Sequence, residues 1–222
     1  MGRRGNGAAP EYGEIGDHLR EVRVGAGISL RELARRLGVS PSLISQVETG
    51  RARPSVRTLY ALANELGISL DELLFSDART AGGPVQPDRD GEGTAGFDVR
   101  LPSDPVQRAA DRSAIRLASG VIWERLTTAS IPNVDFLRVT YEVGGASSPE
   151  AGFQRHAGQE WGYVVSGRLG VTIGFDDVVL DPGDSIAFDS TTPHRLYNAG
   201  DDPVHGIWFV LGRRSPAVPD RH

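Results

Sequence analysis

Residues 29–50 read SLRELARRLGVSPSLISQVETG and contain start and stop signals for two consecutive helices. Ser29, followed three residues later by Glu32, forms the capping-box pattern that opens a helix. Gly38 suits the left-handed residue that ends a helix, and Ser40 can cap the next one. We therefore expect two short helices joined by a tight turn, which is the arrangement of a helix-turn-helix pair.

Apolar residues at helical spacing extend this pattern in both directions. Residues 15–22 carry three apolar positions that indicate one more helix upstream. Downstream, residues 55–67 and residues 69–74 each begin with a serine that can cap a helix. The sequence therefore predicts five short helices within residues 12–75.

The charge of this segment differs from that of the whole chain. The 222 residues carry 24 arginines and no lysine against 29 acids, for a formal net charge of −5. Residues 29–57 hold six arginines against two glutamates, a local net charge of +4. Total acidity argues against nucleic-acid binding, whereas a local basic patch favours it. The alternative is a helical bundle used for protein contacts or dimerisation.

Composition excludes several function classes. The chain contains no cysteine, which removes disulfides, thiolate metal sites, iron–sulfur clusters and cysteine nucleophiles. No stretch approaches the roughly 20 apolar residues of a membrane-spanning helix. No apolar run follows Arg3 and Arg4, as a secretory signal would require. We expect a soluble cytoplasmic protein with no membrane partner.

Residues 12–75 resemble the lambda-repressor-like (XRE-type) DNA-binding domains, most specifically in SQVETG at 45–50 followed by Pro54 and Ser55. The resemblance implies that residues 41–49 form the recognition helix in the major groove of double-stranded operator DNA. The family and the logic of palindromic half-sites imply a homodimer. The residues expected to contact DNA are polar or basic: Ser29, Arg31, Ser40, Ser42, Ser45, Gln46, Arg51, Arg53 and Arg57.

The rest of the chain has a different pattern. Residues 76–112 are rich in Gly, Pro and Asp, which indicates a linker, while residues 1–11 and 213–222 have the composition of a disordered arm and a loose tail. Within residues 113–212, short β-type runs alternate with turn residues, as in an antiparallel barrel or jelly roll. The runs with β character are Val121–Ala129, Val134–Val143, Glu160–Val165, Arg168–Phe175, Val178–Leu180, Ser185–Phe188 and Val204–Leu211. The sequence therefore predicts an α+β chain of two domains.

Two motifs in the second domain carry a resemblance to a known family. The first is HAGQEWGYVVSG at residues 156–167, and the second is DPGDSIAFDSTTPHRLYN at residues 181–198. Both resemble the paired signatures of the cupin family over residues 115–211. The resemblance implies a jelly-roll β-barrel with a small-molecule-sized interior and an optional divalent metal.

The cupin resemblance also implies that His156, Glu160 and His194 point into the barrel. The sequence departs from the family at Gln154, where the first motif usually carries another histidine. Two histidines and one carboxylate suit Fe²⁺, and also Mn²⁺, Ni²⁺ or Zn²⁺. Without a metal, the same residues could hydrogen-bond an effector or one another. Further candidates for contact with a small-molecule effector are Gln154, Arg138 and Tyr141.

The order of the domains resembles that of regulators in which a lambda-repressor-like head is joined to a cupin sensor. A small molecule or metal in the barrel would then change the spacing of two recognition helices in a dimer. The rival is an enzyme of the hydroxypropylphosphonate epoxidase type, an iron-dependent oxidase with the same domain pair, which resembles this chain at residues 156–160. A cupin isomerase or sugar-binding enzyme ranks third. The intact helix-turn-helix signals favour the regulator, because an enzyme need not keep them.

Overall fold

A computed structural model gives the architecture of the chain as a helical head followed by a barrel of two β-sheets. No helix among the residues it describes is long and apolar enough to cross a membrane. The described residues are 12–68, 70, 73, 104–131, 133–150 and 152–212. The predicted arm, most of the predicted linker and the predicted tail lie outside these residues.

The head contains four helices in its described part. Their bounds are α1 Tyr12–Gly25, α2 Leu30–Leu37, α3 Pro41–Glu48 and α4 Val56–Leu66. The fifth predicted helix, at residues 69–74, lies largely outside the described residues. Of that segment, Leu70 and Leu73 are described, and both are helical and buried. The structure therefore supports four helices, and the count of five is not confirmed.

Helices α2 and α3 form the predicted pair, and their ends follow the signals in the sequence. The hydroxyl of Ser29 accepts a hydrogen bond from the backbone N–H of Glu32 at 3.1 Å. The hydroxyl of Ser40 accepts one from the backbone N–H of Leu43 at 3.2 Å. Gly38 ends α2 with φ at 65°, a conformation that glycine adopts without a steric penalty. These caps fix the turn that orients α3 on α2.

The barrel is built from nine strands in two antiparallel sheets. The strands are β1 Ala114–Arg116, β2 Val121–Arg125, β3 Val134–Tyr141, β4 Gln159–Ser166, β5 Leu169–Ile173, β6 Asp176–Leu180, β7 Ser185–Asp189, β8 His194–Asn198 and β9 Val204–Leu211. The larger sheet has the order β1-β2-β3-β9-β4-β7, and the smaller has the order β6-β5-β8. The sequence did not predict β1, which is only three residues long, or β8, which directly follows Pro193.

Alternating burial shows which face of each strand points into the barrel. In β9 every second residue from Val204 to Val210 is buried, and β2 alternates in the same way. Backbone hydrogen bonds join Gln154 and His194 in both directions at 2.9 Å, which ties the segment before β4 to the smaller sheet. The two sheets thus bring the residues of the two cupin motifs to the same end of the interior.

The head packs directly on the barrel through α4 and the loop before it. The backbone N–H of Ala118 donates a hydrogen bond to the carbonyl of Pro54 at 3.2 Å. Val56 and Tyr60, on one face of α4, are 1% and 5% exposed. The ring of Tyr60 meets the edge of Trp123 with 5.9 Å between ring centroids. Buried apolar residues of the head and the barrel therefore form one continuous core.

Candidate metal centre and nucleic-acid interface

Three side chains with metal-ligand chemistry converge inside the barrel. Glu160 lies near the start of β4, His194 opens β8, and His156 lies in the segment before β4. Their ligand atoms lie within 4.8 Å of one another. The histidine side chains are 0% exposed and that of Glu160 is 2% exposed. The structure therefore brings together the three residues that the cupin resemblance implied as ligands.

The hydrogen bonds of the two imidazoles fix which ring nitrogen carries the proton. His156 Nδ1 lies 3.1 Å from the carbonyl oxygen of Ala157, and His194 Nδ1 lies 2.9 Å from that of Thr192. Because a carbonyl oxygen can only accept, both Nδ1 atoms donate, and in the neutral rings both Nε2 atoms are acceptors. These Nε2 atoms lie 2.9 Å and 3.3 Å from Glu160 Oε1. Three acceptor atoms thus face one another, and a cation bound between them would coordinate all three.

The carboxylate at this centre has the properties of a ligand. Glu160 Oε1 and His194 Nε2 make no hydrogen bond with any described residue. Leaving a buried polar atom in that condition costs about 1–3 kcal/mol. Two neutral imidazoles and one carboxylate form a donor set that fits a divalent metal.

Trp208 orients the carboxylate from the neighbouring strand, a contact that no motif in the sequence indicates. Its indole N–H donates a hydrogen bond to Glu160 Oε2 at 2.6 Å, so Oε1 is the oxygen turned toward the histidines. Gly162 pairs with Trp208 across β4 and β9. A Cβ atom on Gly162 would lie 2.1 Å from the indole ring. The indole can occupy this position because residue 162 has no side chain.

Two predicted effector contacts line the space beside this centre. Gln154 is 4% exposed, and its Oε1 atom makes no hydrogen bond with the described residues. Burial, followed by the proximity of Tyr60 and Glu160, raises the pKa of Tyr141 well above its usual value. Its hydroxyl therefore stays protonated and can donate. Both side chains could bind the polar atoms of a ligand.

Arg138, the third predicted effector contact, does not line this space. Successive residues of a strand point to opposite faces, and Arg138 lies three positions from the cavity-lining Tyr141 on β3. Its guanidinium instead forms an ion pair with Glu124 on β2. It also lies 3.3 Å from Nδ1 of His205, which contacts Thr140 at 3.0 Å. In this structure the side chain of Arg138 is thus engaged with Glu124 and His205 rather than with the space beside the three candidate ligands.

Helix α3 presents a polar surface formed by its predicted DNA contacts. Ser42 and Gln46 are exposed, and the amide of Gln46 lies 3.4 Å from the hydroxyl of Ser42 one turn earlier. Ser45 is half-buried. Ser29 and Ser40 cap α2 and α3, so their hydroxyls are engaged with the helix backbone. The exposed side chains at the centre of this surface are hydrogen-bonding groups of the kind that read base edges.

The arginines of the head divide into two groups. Arg35 and Arg36 form ion pairs with Glu32, and Arg36 also pairs with Glu65. These pairs neutralise part of the local charge of +4 that the sequence indicated. The arginines predicted to lie near phosphates are exposed: Arg31, Arg51, Arg53 and Arg57.

Arg57 is also close to the barrel. A Cβ atom on Gly152 would lie 3.4 Å from Nη1 of Arg57. This predicted phosphate contact therefore borders the interface between the head and the barrel.

A buried ion pair holds α3 against α1, and no motif in the sequence indicates it. The guanidinium of Arg23 on α1 binds both carboxylate oxygens of Glu48 on α3, at 2.5 Å and 2.9 Å. A third bond runs from Arg23 to the carbonyl of Ile28 at 2.8 Å. Arg23 is 8% exposed and Glu48 is 5% exposed. Nothing local in the sequence links these two residues, which lie 25 positions apart.

Comparison with known proteins agrees with this two-part architecture. Residues 19–73 match the helix-turn-helix family, and residues 137–210 match the cupin domain family. The chain is 28% identical over 205 residues to the HTH-type transcriptional regulator PuuR of Escherichia coli, covering 91% of this chain and 95% of that protein. A solved HTH_3 family transcriptional regulator from Vibrio cholerae superposes with a TM-score of 0.62 at 18% identity, covering 92% of this chain and 98% of that one.

The chain thus combines a helix-turn-helix domain with a C-terminal cupin domain, and over most of its length it is similar to HTH-type transcriptional regulators. Hydroxypropylphosphonic acid epoxidase from S. wedmorenis also aligns, over 93% of this chain and 100% of that one, at 19% identity and a TM-score of 0.42. A likeness at that level says nothing about activity.

Proposed function

We propose that the barrel of this DNA-binding regulator holds a divalent metal at His156, Glu160 and His194, and that the metal or a small molecule bound beside it controls binding to the operator. The observation that carries the proposal is the convergence of three buried acceptor atoms on one point. A site of this kind is a poor structural element without a cation, because it leaves Glu160 Oε1 and His194 Nε2 without a hydrogen bond among the described residues.

The chemistry of the three residues suits Fe²⁺, Mn²⁺, Ni²⁺ or Zn²⁺. When bound, such a metal offers a Lewis-acidic centre with open positions for an effector's oxygen or nitrogen. Gln154 and Tyr141 would hold the remaining polar atoms of that effector, since both line the adjacent space. In this proposal the barrel recognises a ligand and has no catalytic role.

The head supplies the contacts to DNA. Gln46 and Ser42 would read base edges in the major groove, because both are exposed on α3 and both are hydrogen-bonding groups. Arg31, Arg51 and Arg53 would bind phosphates, since guanidinium groups form forked hydrogen bonds with them. We infer a cytoplasmic homodimer, because two recognition helices one helical turn apart match a palindromic operator.

A regulator accounts for more of the molecule than an iron oxidase does. The set of His156, Glu160 and His194 suits either function, because two histidines and a carboxylate also form the site of non-haem iron oxygenases. The caps of α2 and α3 and the polar surface of α3 serve DNA binding and have no role in oxidation. The enzyme therefore remains the second candidate.

One preparation of the full chain can test both halves of the proposal. We expect Gln46→Ala with Arg51→Ala to abolish the gel shift of the chain's own upstream promoter DNA at physiological salt, while the circular dichroism spectrum stays unchanged. We expect His156→Ala to remove the divalent metal that elemental analysis finds in the wild type.

The two readouts can fail separately. A retained gel shift in the double variant would show that the recognition helix is misassigned. Wild-type protein free of metal after expression in metal-supplemented medium would show that the three acceptors hold something else.

A further inference from the structure

Helix α4 belongs to the head, but its Tyr60 lies in the mouth of the barrel. The Tyr60 ring stacks on the imidazole of His156 with 4.1 Å between ring centroids and an angle of 4° between the ring planes. On another side it meets the edge of Trp123 at 5.9 Å and 77°. A residue of the DNA-binding domain is therefore in direct contact with a proposed metal ligand.

The ring of Tyr60 also takes up most of the room that a ligand would need. Together with Val56 from the same helix, it closes a cavity bounded on the barrel side by residues that include Tyr141, Gln154 and Glu160. The space that remains measures about 10 Å³. Small-molecule sites in proteins usually measure about 300–1,000 Å³, whereas one water or ion needs roughly 10–15 Å³. With α4 docked, the site has room for a metal ion but not for an organic effector.

We propose that the side chain of Tyr60 occupies the ligand site of the barrel and competes with the effector for it. A ligand then reaches His156 only by displacing Tyr60 and undocking α4 from the barrel. This inference rests on the proposed sensor function of the barrel. The slot between His156 and Trp123 holds a flat six-membered ring, so the ligand class is a small molecule with an aromatic ring. The domains are thereby coupled through one side chain.

Displacement of Tyr60 would act on the part of the head that faces phosphates. The loop before α4 is bonded to the barrel through Pro54 and Ala118, and Arg57 lies near Gly152. Undocking therefore frees Arg57 and changes the position of α3 relative to the barrel. Because coupling between two sites is reciprocal, operator binding would change the affinity for the ring-bearing ligand by the same factor.

The absence of cysteine from the chain makes the docked state measurable. Spin labels on Gln46→Cys in α3 and Phe175→Cys in the barrel would report the distance between the domains, because both side chains are exposed. We expect one narrow distance distribution with Tyr60 present. Tyr60→Ala in the labelled protein should give a longer and broader one. Asn64→Ala, an exposed position on the same helix, is the matched control and should leave the distribution narrow.

Two probes then address the ligand side. p-Cresol, which has the ring and hydroxyl of a tyrosine side chain, should shift the distribution of the labelled wild type toward that of Tyr60→Ala. In unlabelled protein loaded with Zn²⁺, Tyr60→Ala should lose the metal to EDTA about tenfold faster than the wild type, which corresponds to about 1.4 kcal/mol of lost protection. The Asn64→Ala control should release Zn²⁺ at the wild-type rate.

The outcomes separate this inference from the proposed metal site. A distribution unchanged by Tyr60→Ala would overturn the docking role of Tyr60, whatever the metal result. An unchanged distribution in wild type with p-cresol would overturn the displacement step. If Tyr60→Ala does not fold, Tyr60→Leu, which keeps apolar volume without the ring, gives the same test. A failure to bind Zn²⁺ removes the proposed metal site but leaves the spin-label measurement decisive for docking.

Discussion

The head and the barrel each bury a glutamate, and the two carboxylates have opposite surroundings. In the head, Glu48 receives two hydrogen bonds from the guanidinium of Arg23, so a negative charge is matched by a positive one. In the barrel, Glu160 receives one bond from Trp208 and otherwise faces two imidazoles whose Nδ1 protons point away from it. Both oxygens of the first carboxylate are hydrogen-bonded, whereas Oε1 of the second has no hydrogen-bond partner among the described residues.

This difference is a criterion for telling a structural carboxylate from a candidate ligand. Both glutamates are buried to a similar degree, at 5% and 2% exposure, so burial alone would not distinguish them. What distinguishes them is whether each polar atom has a partner in the part of the chain that the structure describes. A buried group left without one is a candidate for ligand binding, since folding gains nothing from it.

Glu160→Gln should have the largest effect on function. The amide keeps the shape of the side chain but is a poor ligand, so metal binding should be lost. In the presence of a chelator, the free energy of unfolding should stay within about 1 kcal/mol of the wild type or rise, because a buried charge has been removed. Metal analysis and urea denaturation measure the two effects. A large loss of stability without metal would mean that Glu160 is structural, like Glu48.

Glu48→Ala should have the largest effect on stability. It leaves the guanidinium of Arg23 buried and uncompensated, which typically costs about 3–5 kcal/mol. Urea denaturation followed by circular dichroism at 222 nm would measure the loss. Glu21→Ala, at an exposed position on α1, serves as the control and should lie near the wild type. An effect equal to that of the control would contradict the structural role of the pair.

Trp208→Phe should have an intermediate effect, confined to the metal. It removes the indole N–H that holds Glu160 Oε2, and loss of such a supporting hydrogen bond typically lowers metal affinity about 10–100-fold. Competition titration with a chromophoric chelator would measure the affinity. Trp161→Phe changes a partly exposed tryptophan on the same sheet and should leave the affinity unchanged. Equal losses in both variants would indicate a general effect of packing.

Glu32→Gln should have the smallest effect, because it removes an exposed ion pair. Hydrogen bonds from Arg35 and then from Arg36 lower the pKa of Glu32 to about 2. A carboxyl whose pKa is lowered in the folded state stabilises the protein above its unfolded pKa and loses that effect as pH falls through the folded value. The Tm difference between wild type and variant should therefore be small at pH 7 and vanish as the pH falls from about 4.5 toward 2. A Tm difference between wild type and variant that grows as the pH falls would contradict this role of the Glu32 ion pairs.

The parts of the molecule that follow local rules were predicted from sequence. The caps at Ser29 and Ser40 and the turn at Gly38 were predicted, because helix ends are determined by neighbouring residues. His156, Glu160 and His194 were predicted as one cluster because two family motifs carry them. Arg138 lies outside the cluster, and strand alternation explains why, since a side chain three positions from Tyr141 on a strand points to the other face.

The contacts that were missed join residues far apart in the chain. Trp208 is 48 positions from Glu160, and Arg23 is 25 positions from Glu48. Tyr60 follows the helical pattern of α4, so it was indistinguishable from the apolar residues that pack the head. Its position against His156 depends on how two domains dock, and no local pattern in the sequence records that.

Gly162 constrains how this barrel can be re-engineered. A combinatorial library that varies residue 162 while keeping Trp208 would mostly sample proteins in which a new Cβ lies within the indole ring. A library that places only smaller residues at position 208 would yield proteins in which Glu160 Oε2 has lost its hydrogen-bond donor. Positions 162 and 208 must therefore be randomised together, and selection for metal should return pairs in which a small residue at one position faces a hydrogen-bond donor at the other.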